Sequence, residues 1–325
     1  MEIYGTIGPA CADANTLRQM FALGMTGLRL NLSHTTLREA EPLLAMIDTA
    51  AREAGVKPRL LIDMQGPELR IGRLPAPLTL TEGETLRLGG GGLPVPETVL
   101  NALRPGDRLL LDDGRLLLRV TAAPACVVLR GGTLHGGKSI AVEGRTIPAP
   151  AMTDMDRENL RLAPRCGVTA VMQPFVRDPA ELRTVRAAMD AAGGEQMQLM
   201  AKLESREGVE RLTEFFGLAD EIVIARGDLG NAMPLWELPG TQKRVAGCCR
   251  EHGVPFMVVT QLLASMERCA VPTRAEVSDI YNAVLDGASS VMVTGETAVG
   301  AYPVEVIRYL TNTVREALKA RPAGR

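Results

Sequence analysis

Eight short, nearly continuous apolar runs punctuate this chain, and they limit its fold more than any other feature. They lie at Ile3–Ile7, Gly27–Leu32, Arg59–Met64, Thr169–Phe175, Gln198–Leu203, Glu221–Ala225, Phe256–Thr260 and Ser289–Thr294. Most are rich in Val, Ile, Leu and Met, which suits strands buried on both faces of a parallel sheet. Between most of them run amphipathic segments at Asn15–Leu23, Leu37–Ala54, Pro179–Ala192, Glu207–Phe216 and Glu276–Leu285. Several end near a glycine (Gly24, Gly55, Gly193, Gly287), where a left-handed helix cap costs least. Strand and helix alternating eight times predicts an α/β chain closed into a (β/α)8 TIM barrel rather than an open sheet.

One stretch breaks the alternation. From Ile71 to Ala149 the pattern is short strands and turns, such as Leu78–Thr81, Arg108–Leu111, Arg115–Thr121 and Val127–Arg130. Asp113-Gly114 between two apolar runs signals a hairpin. This predicts a barrel built from residues 1–70 and 150–325, with a small all-β lid, itself a β-barrel, inserted at 71–149 after the third strand. Such an insertion is expected over the carboxy-terminal mouth, where βα loops emerge. The 325 residues suffice for this, and no third domain is expected among them.

Composition narrows the function classes. With 46% hydrophobic and 23% charged residues the chain is globular, and with 3% aromatics its core must be aliphatic and Met-rich. A net charge of −2 without a long basic run speaks against nucleic acid and anionic membrane. No apolar run reaches the length of a membrane span, and the first residues lack the pattern of a signal peptide. Six scattered cysteines without a CxxC pair, and three histidines far apart, read as reduced thiols of a cytoplasmic protein with no zinc framework.

Polar groups collect at the ends of the runs. Side chains two apart share a strand face, so Arg29, Asn31 and Ser33 point together, as do Lys202 with Glu204 and Arg226 with Asp228. In a barrel these ends meet at one mouth, with Asp63, Thr260, Thr294 and Glu296. Glu204 and Asp228 make a hard-oxygen pair for Mg2+ or Mn2+. The cations Arg29, Lys202 and Arg226 suit a substrate carrying phosphate or carboxylate. Asn31, Ser33 and Asp63 form a second oxygen cage, of low charge, fit for a monovalent cation. Gly227 would let a substrate carboxylate approach backbone N–H groups. Phosphoryl transfer needs parts of this kind.

These residues resemble the pyruvate kinase family. The similar motifs are Thr6–Ala10, Leu28–His34, Asp63 with Gly66–Arg70, Pro105–Arg108 with Asp112–Gly114, Lys202-Leu203-Glu204, Ala225–Gly230, Pro272–Asp279 and Gly295–Ala298, in the family's order to about Ile307. The resemblance implies transfer of a phosphoryl group from phosphoenolpyruvate to ADP, giving pyruvate and ATP in glycolysis. By it Arg29 and Lys202 hold the phosphate, and Glu204 and Asp228 bind the divalent metal. The backbone of Arg226, Gly227 and Asp228, with Thr260, holds the carboxylate. Asn31, Ser33, Asp63 and the Met64 carbonyl bind K+, and a Glu at position 68 goes with dependence on K+. His34, Arg70 and Lys138 face the nucleotide, while Thr294 and Glu296 line the route by which the enolate is protonated.

The chain departs from the family pattern at several points. Asp63-Met64-Gln65-Gly66-Pro67-Glu68 carries Met64 and Gln65 where the family has Thr and Lys. Thr153-Asp154-Met155-Asp156 has Met155 for another Lys, Pro174 replaces a Ser, and Thr294 replaces a Ser. The family's carboxy-terminal effector domain is expected to be missing, leaving a homodimer through the barrel as the assembly open to it. Two other expectations stand beside kinase activity. One is an enzyme acting on an enolpyruvate or 2-keto acid without ADP; the other is a non-catalytic phosphoenolpyruvate-binding paralogue.

Overall fold

The structure is a computed structural model and describes residues 1–66, 69–112, 114–144, 147 and 150–320. In chain order its strands are β1 (Glu2–Thr6), β2 (Gly27–Asn31) and β3 (Arg59–Asp63), then β4 (Leu78–Leu80), β5 (Thr85–Arg87), β6 (Arg108–Leu111), β7 (Leu116–Ala122), β8 (Ala125–Arg130), β9 (Gly132–Leu134) and β10 (Ile140–Val142). The last five are β11 (Ala170–Gln173), β12 (Gln198–Leu203), β13 (Glu221–Ala225), β14 (Phe256–Val259) and β15 (Ser290–Met292). Each of the eight apolar runs holds one strand of a closed, all-parallel barrel in the cyclic order β1-β2-β3-β11-β12-β13-β14-β15. The chain is a TIM barrel with helices around it.

The barrel interior is what a chain poor in aromatics can build. Leu61, Met172, Met200, Val223, Met257 and Met292 fill it around one aromatic ring, that of Tyr4. Met is unbranched and flexible, so it closes gaps that rigid rings would leave. The Tyr4 ring needs Gly27 beside it, because a Cβ there would meet Tyr4 Cε1 at 2.3 Å. Packing of this kind fixes strand rotation and therefore which side chains reach the mouth.

Local chemistry explains where two helices differ from expectation. The segment expected as Leu37–Ala54 is helical only over Glu41–Glu53. Thr36 donates from its amide (2.9 Å) and hydroxyl (3.0 Å) to the Glu39 carboxylate, closing a separate turn, and Pro42 then starts the helix. The segment expected as Glu207–Phe216 divides at Arg211 into a helix, Arg206–Glu210, and a 3-10 turn, Leu212–Phe215.

Contacts divide the chain into two compact units. The first comprises Met1–Gly66, Ala151–Arg226 and Trp236–Arg325; the second comprises Pro67–Pro150 and Gly227–Leu235. The second unit has its own core, with Leu109, Leu111, Leu118, Val120 and Val128 buried. It differs from the expected all-β barrel in two respects. Its strands form an open antiparallel sheet, β10-β6-β7-β8-β5, and a separate pair, β4-β9. It also carries a short helix, Glu97–Ala102, which opens after Pro96. β6 and β7 pair Leu111 with Leu116 as the hairpin reading requires, although Asp113 itself lies outside the described residues. Among the described residues no helix is long and apolar enough to cross a membrane.

Candidate active site

The period-2 alternation that places Leu61 and Met200 inside the barrel also turns Asp63 and Lys202 inward, two residues nearer the mouth. Asn31 pairs in register with Asp63, and Arg29 shares its face. Four charges thereby come together. Arg29 donates to Asp63 Oδ2 from Nε (2.9 Å) and Nη2 (2.6 Å). Lys202 Nζ lies 3.3 and 3.2 Å from the two Asp63 oxygens and 2.9 Å from Glu204 Oε1. Along Arg29, Asp63, Lys202 and Glu204 the sign alternates, and the Asp63 and Glu204 side chains are 3% and 1% exposed, too little for water to hold these charges alone.

Protonation follows from that arrangement. Burial pushes the Asp63 carboxyl up, but Lys202 and Arg29 more than offset it and hold it below the ordinary carboxylate range. Burial pushes the Lys202 ammonium down, yet Asp63 and Glu204 outweigh burial and Arg29 together, so Lys202 stays charged. The remaining Glu204 oxygen, Oε2, accepts from the Phe175 amide at 2.7 Å. Phe175 has a left-handed backbone, φ 52°, which aims that N–H at the carboxylate.

The expected monovalent-cation ligands share the neighbouring ends of β2 and β3. Asn31 Oδ1 accepts from the Ser33 amide (3.1 Å), and Leu32 N–H donates to the Asp63 carbonyl (2.9 Å), so Asn31, Ser33, Asp63 and Met64 lie on one tied corner. The donors are a carboxylate, an amide, a hydroxyl and a carbonyl, all hard oxygens, and they fit K+. Among the described residues no three His, Cys, Asp or Glu side chains converge on one point as a metal cluster. Mg2+ is commonly bound through one or two carboxylates with substrate oxygens and water, and the buried Glu204 fits that pattern.

At the ends of β14 and β15 the structure revises one reading. Arg226 is not a cation presented to the mouth. It donates to the Thr260 carbonyl from Nε (3.1 Å) and Nη2 (2.8 Å), and to Asp279 from Nη1. Glu296, 1% exposed, accepts from the amides of Leu263 (3.2 Å) and Thr294 (2.6 Å) and lies 3.3 Å from the Thr294 hydroxyl. It braces the turns after β14 and β15 against each other.

Sequence reasoning missed Asp156 as a hub. Its carboxylate caps its own helix, Asp154–Leu162, by bonding Thr153 N–H and Oγ (both 2.8 Å), and it also accepts from the amides of Gln65 (2.9 Å) and Gly66 (3.0 Å). The Thr-x-x-Asp capping pattern was a readable signal; its second task was not. Pro174 closes the same corner, since a Cβ on Gly66 would meet its Cγ at 2.3 Å.

Other expected residues belong to the second unit. Arg70 Nη1 donates to the Gly137 carbonyl (2.8 Å), and Lys138 pairs with Asp112 (2.8 Å). Gly227 and Asp228 lie on the helix Arg226–Asn231 that begins where β13 ends. His34 follows β2, its amide bonded to the Asn31 carbonyl at 3.4 Å. Glu68 lies outside the described residues.

Comparison with known proteins gives the family. Residues 1–307 match the family model described as pyruvate kinase, barrel domain. The chain is 39% identical to the pyruvate kinase of Corynebacterium efficiens over 329 residues, covering 97% of this chain and 69% of that protein. It is 36% identical to that of Mycobacterium tuberculosis (96% of this chain, 69% of the relative) and 34% identical to that of Chlamydia pneumoniae (98% and 68%). The chain belongs to the pyruvate kinase family.

Proposed function

We propose that the protein transfers the phosphoryl group of phosphoenolpyruvate to ADP, releasing pyruvate and ATP, as a glycolytic enzyme of the cytoplasm. The observation that carries this reading is the buried series Arg29–Asp63–Lys202–Glu204 at the ends of β2, β3 and β12. Arg29 and Lys202 present fixed positive charge to a phosphate, and Lys202 offsets charge on the phosphoryl group as it passes from the enol oxygen of phosphoenolpyruvate to a terminal oxygen of ADP. The remaining enolate takes a proton at carbon to become pyruvate, with Thr294 and Glu296 lining that route. Thr260, with the backbone of Arg226–Asp228, orients the carboxylate. His34, Arg70 and Lys138 are assigned to the nucleotide. Glu204, with Asp228 as the resemblance implies, would hold Mg2+ or Mn2+; Asn31, Ser33, Asp63 and the Met64 carbonyl would hold K+. The divalent ion supplies Lewis-acid neutralisation of phosphate charge.

The test is pyruvate release by the purified protein with phosphoenolpyruvate, Mg2+ and K+, with and without ADP. Release that requires ADP supports the reading; no release while phosphoenolpyruvate still binds overturns it. A second reading, turnover of an enolpyruvate or 2-keto acid without ADP, draws on the neutral Gln65 and on Met155, which is 41% exposed where the family carries Lys. Turnover without ADP across a panel of keto acids would favour it.

A further inference from the structure

Two consecutive residues after β14, Thr260 and Gln261, have left-handed backbones, with φ of 80° and 56°. Neither is glycine, and Thr is β-branched, so the conformation is costly and persists only where surrounding structure imposes it. Arg226, which follows neighbouring β13, is bonded to this turn. Its guanidinium bonds the Thr260 carbonyl twice, at 3.1 and 2.8 Å, and the Gln261 carbonyl at 3.2 Å. A third nitrogen is held by Asp279 on the helix Arg274–Leu285. The Arg226 side chain is 11% exposed, so this fork is largely shielded from competing water.

We propose that Arg226, anchored by Asp279, is a positioning residue that holds the Thr260–Gln261 turn left-handed and so fixes Thr260 for its contact with substrate. The inference rests on the functional reading above, in which Thr260 touches the carboxylate. Glycine would take either left-handed position without steric cost. Thr at 260 keeps a hydroxyl there at the expense of backbone strain, and the Arg226 fork supplies the restraint that strain requires. The planar fork matters because it reaches two carbonyls and a carboxylate at once, which an ammonium group on a flexible stem does not reproduce.

The test measures kcat and KM for phosphoenolpyruvate, with calorimetric phosphoenolpyruvate binding alongside, for the full chain and its variants. Arg226→Ala is expected to lower kcat/KM by about 100-fold, the scale set by small misplacement of a reacting group. Arg226→Lys, which keeps the charge and a partner for Asp279, is expected to lose activity in the same direction while melting like the parent. Gln261→Gly, added to either variant, is expected to restore about ten-fold, the low end of the strain that glycine relieves at one such position. Full activity in Arg226→Lys, or no recovery on adding Gln261→Gly, overturns the inference. A parent protein that neither binds nor turns over phosphoenolpyruvate overturns the functional reading, and the inference with it.

Discussion

Asp63 Oδ2 lies 2.6 Å from Arg29 Nη2 and 3.2 Å from Lys202 Nζ, so one buried carboxylate sets the spacing of both inward cations. Removing it leaves two buried positive charges facing each other. Asp63→Ala is expected to cost about 3–5 kcal/mol, the scale for breaking a buried pair from one side, measured by urea unfolding at pH 7. The folded carboxyl sits below its ordinary 3.8 despite burial, because Lys202 and Arg29 favour the charged form. Its contribution is therefore present above the unfolded value and is lost as pH falls through the lower folded one. The gap between parent and variant should narrow in acid; a gap that widened there would reverse the sign argued here.

Lys202→Met tests the phosphoryl-holding role. The change leaves Glu204 and Arg29, the proposed metal and phosphate contacts, in place, so turnover alone should collapse, by about 100- to 1,000-fold as when one charge-stabilising donor is removed. Mn2+ binding, followed by electron paramagnetic resonance, should persist, because the Phe175 amide still orients Glu204 Oε2. Loss of Mn2+ binding together with activity would show that Lys202 serves mainly to hold Glu204 in place.

These two residues also show how far the sequence could be read. The barrel was legible because its strands are buried on both faces, and a continuous Val, Ile, Leu or Met run admits few other structures. The run ending at Phe175 overshoots β11, which stops at Gln173; hydrophobicity continues past the last ladder bond while the backbone turns left-handed. Arg29, Asp63 and Lys202 were legible from period-2 spacing at strand ends. The braces were not. Asp156 bonds Gln65 across 91 residues, and Asp279 bonds Arg226 across 53, and neither partnership leaves a local pattern. Arg226 was misread for the same reason: its position at a strand end is visible, but the carbonyls that absorb it depend on the left-handed turn after β14.

Asp156→Ala tests the long-range brace. The change removes a helix cap, worth about 1 kcal/mol, and leaves the buried Gly66 amide without its acceptor, at about 1–3 kcal/mol, while the part-buried Gln65 amide can turn to water. A loss of about 2–4 kcal/mol is expected by urea unfolding. Thr153→Ala removes the hydroxyl half of the cap and leaves both amides bonded, so it should cost about 1 kcal/mol. Equal losses in the two variants would mean that the bonds to Gln65 and Gly66 contribute nothing measurable.

At the opposite end of the barrel, Glu221 is 7% exposed, and its Oε1 accepts from the hydroxyls of Ser289 (2.7 Å) and Ser290 (2.6 Å). Burial raises its carboxyl above the ordinary 4.5; the two serines and Arg59 oppose the shift without cancelling it. A raised folded value means that the native state binds this proton more tightly than the unfolded chain does. The stability it contributes is fully present below the unfolded value and is lost as pH rises through the folded one. Glu221→Gln keeps an oxygen for both serines and cannot ionise. It should match the parent near pH 4 and exceed it by about 1 kcal/mol or more at pH 7–8, the scale for a buried group relieved of uncompensated desolvation. Thermal unfolding across that range decides the matter. A parent as stable as Glu221→Gln at pH 8 would mean that Arg59 and the serines compensate the charge in full, and a parent that gained stability with rising pH would mean that the folded carboxyl is lowered instead.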